Sequence, residues 1–160
     1  MTPAAALDHL AATLHQNYLD RAKASGWPLK PAVDKAFADL GPDLQEANRA
    51  AARRIPEVLA TIGVRLVPAP AKGTLSQAEL EALIARNIEP AAIAEHEGWM
   101  RQRLEAGWQL GDRDDAHKKH PCLVPYDQLT EVDKEKDREQ VRSYPALIVE
   151  AGMGSEDVGS

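Results

Sequence analysis

One cysteine and one phenylalanine are all that these 160 residues hold of either type, and aromatic side chains make up only 4% of the chain. A single thiol excludes an internal disulfide, so nothing ties the protein to an oxidising compartment. Basic charge is also short: 19 Lys and Arg against 25 Asp and Glu leave a net charge of −6. That balance lacks the basic face a phosphate-backbone binder needs, so no nucleic-acid partner is expected. No apolar run approaches the roughly 18 residues that span a bilayer, so no membrane partner is expected. The opening MTPAAALDHLAATLHQ has no basic segment ahead of an apolar one, and a cytoplasmic location is expected. A Gly-rich phosphate loop, a Ser-His-Asp order and zinc-ligand spacing are all missing. The expectation is a non-enzymatic protein with no cofactor and no metal site.

Alanine dominates what is present. Of the 44% of residues that are hydrophobic, 27 are Ala, so packing must rest on close helix contacts. Thr2-Pro3 reads as an N-cap and first turn, followed by Leu7, Leu10, Ala11, Leu14 and Tyr18 at helical spacing, with Gly26 as the stop. Pro42 opens a second helix to about residue 54, where Pro56 is expected to kink or restart it. Residues 64–68, VRLVP, suggest a strand, and APAKGT, 69–74, a linker. Ser76 and Glu79 form a capping box for a helix to about Arg86. Pro90 begins a longer helix ending at Gly107. Thr130 and Asp133 signal another, the charged TEVDKEKDREQVRSY, expected to be an exposed helix laced with ion pairs such as Glu135 with Arg138. Pro145 interrupts it, and the final GMGSEDVGS reads as frayed.

The chain also repeats itself. LHQNYLDRAKASGW, from Leu14, lies over EHEGWMRQRLEAGW, from Glu95, at a constant offset of 81 residues. His15 matches His96, Tyr18 matches Trp99, and Gly26-Trp27 matches Gly107-Trp108. Further on the offset is 89, pairing Leu40 with Leu129, Arg49 with Arg138, Pro56 with Pro145 and Gly63 with Gly152. The eight extra residues of the second half fall between Gly107 and Leu129. They belong to a charged loop, GDRDDAHKKHPC, added to a scaffold used twice.

On a helical wheel Ile93, Met100 and Leu104 make the expected core face of the longer helix. His96, Trp99 and Arg103 form a neighbouring stripe that can stack a base and meet a phosphate. The same stripe also suits a buried Trp with Arg laid along its face, and both readings stand. Trp27 and Trp108, each directly after a helix-ending Gly, read as structural C-cap contacts. In the loop, Lys118-Lys119 between His117 and His120 argues against a metal, and Cys122 between Pro121 and Leu123 suits apolar packing. Arg103, Arg113, Lys118 and Lys119 can converge as an anion clamp, with Asp114 and Asp115 holding the loop.

These residues carry a resemblance. His96…Trp99…Arg103, Gly107-Trp108, Gly111, Arg113-Asp114-Asp115, the run HPCLVPY from His120 to Tyr126, Leu129 and Asp137-Arg138 resemble a ryanodine receptor repeat, or RyR domain, over roughly 90–152. That family occurs in tandem pairs in calcium-release channels and as small stand-alone bacterial proteins. The first half resembles a degenerate copy, retaining His15, Tyr18, Gly26-Trp27, Leu40, Asn48-Arg49 and Gly63 without the RDD and HPCLVPY pieces. The resemblance implies a mainly helical α+β fold of two pseudo-twofold-related repeats. The expected division is 1–68 for the degenerate repeat, 69–89 for a linker and connecting helix, 90–152 for the second repeat and 153–160 for a flexible tail. It further implies a sensor that binds an adenine nucleotide or related small molecule between the repeats, Tyr18 and Trp99 sandwiching the base. Asp137, at the position of Asn48, is implied to lie near that cleft. Arg103 and Arg113 are then assigned to phosphate, and His15, His96 and His120 to the same ligand site. A protein-interaction module without a small ligand is the alternative, and a protein partner remains possible in either case.

Overall fold

The computed structural model describes residues 3–159. Thr2, the expected first N-cap, lies outside the described residues. Six helices and four short strands follow in order: α1 Pro3–Ser25, α2 Pro42–Thr61, β1 Val64–Val67, α3 Gln77–Arg86, α4 Ile88–Glu105, β2 Gln109–Leu110, β3 Lys119–His120, α5 Glu131–Arg142, α6 Tyr144–Glu150 and β4 Gly154–Asp157. The fold is α+β and mainly helical. α2 packs on both α1 and α4, and α5 packs on α4.

Helix ends obey local chemistry. The Ser76 hydroxyl accepts from Glu79 N at 3.1 Å and the Glu79 carboxylate accepts from Ser76 N at 3.0 Å, the expected capping box. α1 and α4 end on Gly26 and Gly107 at φ 70° and 92°. The chain then folds back on each helix, Trp27 N donating to Ala22 O and Trp108 N to Arg103 O. Short 3-10 turns, Phe37–Asp39 and Tyr126–Gln128, precede α2 and α5 at the 89-residue offset.

Several expectations change. α2 is not restarted at Pro56 but runs through it to Thr61, whereas Pro145 does mark a break, sitting in the first turn of α6, where its missing N–H leaves no bond unmade. Gly154–Asp157, within the expected frayed tail, form a strand. β4 pairs antiparallel with β1 in the register Val64↔Asp157 to Val67↔Gly154, Ser155 is buried, and Leu75 N donates to Ser155 O at 2.7 Å. Nor is 69–89 merely connecting, since Leu80, Leu83 and Ile84 of α3 enter the same core as Leu10, Ile55, Leu59, Val64, Tyr144 and Leu147.

The largest correction concerns α4. Ile93 and Leu104 are exposed and Met100 is half-buried, while Ala91, Ala92, Glu95, His96 and Gly98 face inward. The apolar stripe is therefore not the core face. Polar groups can occupy it because they are satisfied there. The buried Arg54 of α2 donates to both Glu95 oxygens at 3.1 and 3.2 Å, and the fully buried Tyr144 hydroxyl donates to Glu95 at 2.8 Å. Gly98 makes the crossing possible, since a Cβ there would lie 2.6 Å from Arg54 Cδ. Gly98→Ala must therefore overpack the α2–α4 crossing. The expected loss is about 1–3 kcal/mol of unfolding free energy by urea denaturation, despite the better helix propensity of Ala.

Candidate ligand-binding site

At the C-terminal end of α4 the helical spacing brings Trp99 and Arg103 together, and the Gly107 turn returns Trp108 over the same arginine. The Arg103 guanidinium carbon lies 5.8 Å from the Trp99 ring centre and 5.2 Å from that of Trp108. His96 stacks on Trp99 with centroids 5.6 Å apart and planes at 27°, and His120 meets the Trp99 ring edge-on at 4.9 Å. Trp99 and Trp108 are both half-buried.

His120 arrives from the charged loop, which forms an arm. β2 and β3 pair in parallel, Gln109 with Lys119 and Leu110 with His120, around the 3-10 turn Asp115–His117. Asp114 caps that turn, accepting from His117 N at 3.2 Å and lying 2.7 Å from His117 Nδ1. Lys118 adopts φ 54° and donates to Ala106 O at 2.9 Å, fastening the arm to the end of α4. Lys118 is thus a strut rather than part of a clamp. Lys119 packs alongside Gly111.

Two histidine latches position these elements. His96 Nε2 donates to Val124 O at 2.7 Å, and His15 Nε2 donates to Lys35 O at 2.7 Å, in each case two residues before a 3-10 turn. A carbonyl only accepts, so the proton is on Nε2. Both rings are buried, His15 at 4% exposure and His96 at 2%. The structure uses them as fold latches, which leaves their buried rings ill placed to meet a ligand directly.

The predicted site residues therefore divide. His96, Trp99, Arg103 and His120 form one cluster, with Arg113 close enough to act on Arg103 and His120 electrostatically. Tyr18 is 43% exposed on α1 and makes no ring contact with Trp99. The first half reaches the cluster through a different residue: Lys30 Nζ donates to Asp115 Oδ2 at 3.0 Å. No local pattern marks Lys30, whereas Trp108 makes the expected C-cap contact, its N donating to Arg103 O, and its ring also lies over the Arg103 guanidinium. The Gly-Trp turn after a helix carrying Trp and Arg four residues apart was the available signal for Trp108. Two surface depressions, about 500 Å³ along α5 and about 190 Å³ between Pro70, Leu80, Pro145 and Met153, include none of these residues.

The electrostatics is one-sided. Burial lowers the Arg103 pKa, and the nearby Arg54 and Arg113 add to that against Asp115. Arg103 has no ion pair or hydrogen-bond partner among the described residues. Burial likewise lowers the His120 pKa, helped by Arg113 and Arg103. His120 Nδ1 accepts from Cys122 N at 3.0 Å, so the neutral ring carries its proton on Nε2. Burial, with Asp133 beside it, pushes the Cys122 thiol up to about 11, which keeps it protonated and unsuited to attack. Among the described residues no group of three or more His, Cys, Asp or Glu is arranged to hold a metal ion, and no helix is long and apolar enough to cross a membrane.

Residues 66–155 match the RyR domain. The chain belongs to the RyR domain family. The matched span begins in β1 and ends in β4, so α3 and both strands of the antiparallel pair are part of the RyR domain as found here.

His96 supplies a pH test. Burial lowers its pKa, but hydrogen bonds to Asp137, at 3.2 Å from Nδ1, and to Val124 O, with the charges of Asp137 and Glu95, outweigh that and raise it. A raised folded pKa means stability that is present below the unfolded value of about 6.5 and is lost as pH rises through the folded one. Equilibrium unfolding should therefore show the His96 contribution as stability lost when pH rises above about 6.5, a slope flattened in Asp137→Asn. His120 has the opposite sign and acts at lower pH, so the comparison is read above about 6.5.

Proposed function

We propose that this protein is a non-enzymatic sensor module that binds an adenine nucleotide or a related nucleotide-derived small molecule. The ligand's anionic group lies against Arg103 and Arg113, and its base stacks beside Trp99. Arg103 carries the reading. A partly buried guanidinium, flanked by two indoles and crowded by two more arginines, lacks any carboxylate partner among the described residues. Unpaired buried charge is costly, and an anion relieves it. A phosphate does so with directed hydrogen bonds, and a base stacks readily on an indole or guanidinium plane.

His96 already covers Trp99, so a symmetric sandwich between Trp99 and Tyr18 is not required. Tyr18 supplies an accessible ring from the first half. The neutral His120, with its proton on Nε2, suits an acceptor on the sugar or base. An interface reading, in which Tyr18 and Trp99 bury each other, is disfavoured by the exposure of Tyr18.

Intrinsic tryptophan fluorescence, titrated with ATP, ADP, AMP, cyclic nucleotides and ADP-ribose, tests this directly. A bound member should quench with saturation and raise the melting temperature. Arg103→Ala should weaken that ligand about tenfold or more while changing adenosine binding little, as expected for a lost charge-assisted bond. A flat response across the panel would sink the nucleotide reading and favour a protein-interaction module.

A further inference from the structure

The two aspartates of the arm do different work. Asp114 holds the turn together, capping His117 N and meeting the His117 ring. Asp115 instead directs its carboxylate at cations from both halves of the chain. Oδ2 accepts from Lys30 Nζ at 3.0 Å, across 85 residues of sequence, and Oδ1 accepts from Arg113 Nε at 3.3 Å. Its charge also acts on Arg103 and His120, the cluster's other polar members. The carboxylate is thus held by Lys30 and Arg113, each oxygen by a separate cation, with Arg103 and His120 within reach of its charge.

We propose that the Asp115 carboxylate is an intramolecular stand-in for the ligand's phosphate, marking the subsite that a phosphate enters by displacing it. This rests on the nucleotide reading above and deepens it with a control on affinity. Two carboxylate oxygens shared between an ammonium and a guanidinium present the geometry that two phosphate oxygens adopt with the same groups. A phosphate brings a third oxygen and about twice the charge, enough to include Arg103. The side chains of Lys30, Arg113 and Asp115 remain 74%, 67% and 39% exposed. Exposed pairs of this kind are weak and readily exchanged. Because Lys30 follows α1 while Arg113 belongs to the arm, exchange of Asp115 for phosphate also replaces one of the protein's own ties between its two halves.

Isothermal titration of inorganic pyrophosphate into the full chain separates this from the nucleotide reading, since pyrophosphate has no base to stack. Asp115→Asn, which keeps the shape of the side chain but removes its charge, should bind pyrophosphate about fivefold more tightly than wild type, the worth of one exposed ion pair. Asp115→Ala should behave alike, and adding Lys30→Met should cancel the gain. Equal or weaker binding by both Asp115 variants, or no binding by any of the proteins, overturns the stand-in. Nucleotide binding that depends on Arg103 but ignores Asp115 overturns the stand-in alone. Pyrophosphate binding in the expected order with a flat nucleotide panel supports the subsite and removes the nucleotide reading.

Discussion

The contact between Arg54, Glu95 and Tyr144 organises the molecule. It joins α2, α4 and α6 through one buried carboxylate that accepts two guanidinium bonds and one phenol bond. Desolvating such charges is costly, and only a full set of partners repays it. The triad therefore fixes relative positions more stringently than apolar packing, which tolerates sliding. Gly98 follows from it, because the arginine must pass directly across α4. So does the composition of the α4 inner face, where two alanines, a glutamate, a histidine and a glycine replace the expected aliphatic stripe.

The site is a consequence of the same constraint. Glu95 and His96 are neighbours on α4, one fixed by α2 and α6 and the other by Asp137 of α5 and the Val124 carbonyl. With those two residues held, the next turns of the helix are held too, so Trp99 and Arg103 have little freedom to relax. Arg103 then stands near Arg54 and Arg113 with no carboxylate of its own among the described residues. A charge arrangement of this kind is unfavourable to the fold taken alone. It persists because the triad and the histidine latch over-determine the backbone that carries it.

Much of this was legible in the sequence, and the failures have physical causes. The Ser76–Glu79 capping box, the Thr130 cap, the Gly26 and Gly107 stops and the VRLV strand depend on residues within a few positions, and the structure shows each of them. β4 was missed because GSED has neither strand propensity nor alternation, and its partner lies some 90 residues away. The α4 core face escapes the sequence because its large hydrophobic residues, Ile93, Met100 and Leu104, are not the ones that turn inward. Glu95 and His96 are buried by virtue of distant partners that no local pattern reveals. Of the expected site, Trp99, Arg103 and His120 converge with Arg113 beside them. His15 and His96 are latches, recognisable as such only once the carbonyls of Lys35 and Val124 come within reach. Lys30 is an ordinary surface lysine until the arm is placed against it.

The asymmetry between the halves follows from a few substitutions. The C-terminal Gly-Trp turn and the histidine latch are present in both, so the backbone of α1 near Tyr18 and that of α4 near Trp99 are held in the same way. At the place of Arg103, however, the first half has Ala22, and at that of Asp137 it has Asn48. It also lacks the arm. Trp27 consequently stays 52% exposed, with no guanidinium over it and no histidine against it. The first half keeps the histidine latch, the Gly-Trp turn and an Arg49–Asp8 ion pair at the positions of Arg138–Glu89, but has no cation at the place of Arg103. It instead extends Lys30 to Asp115 of the arm, so the charged cluster of the second half draws the cation furthest in sequence from the half that has no such cluster itself.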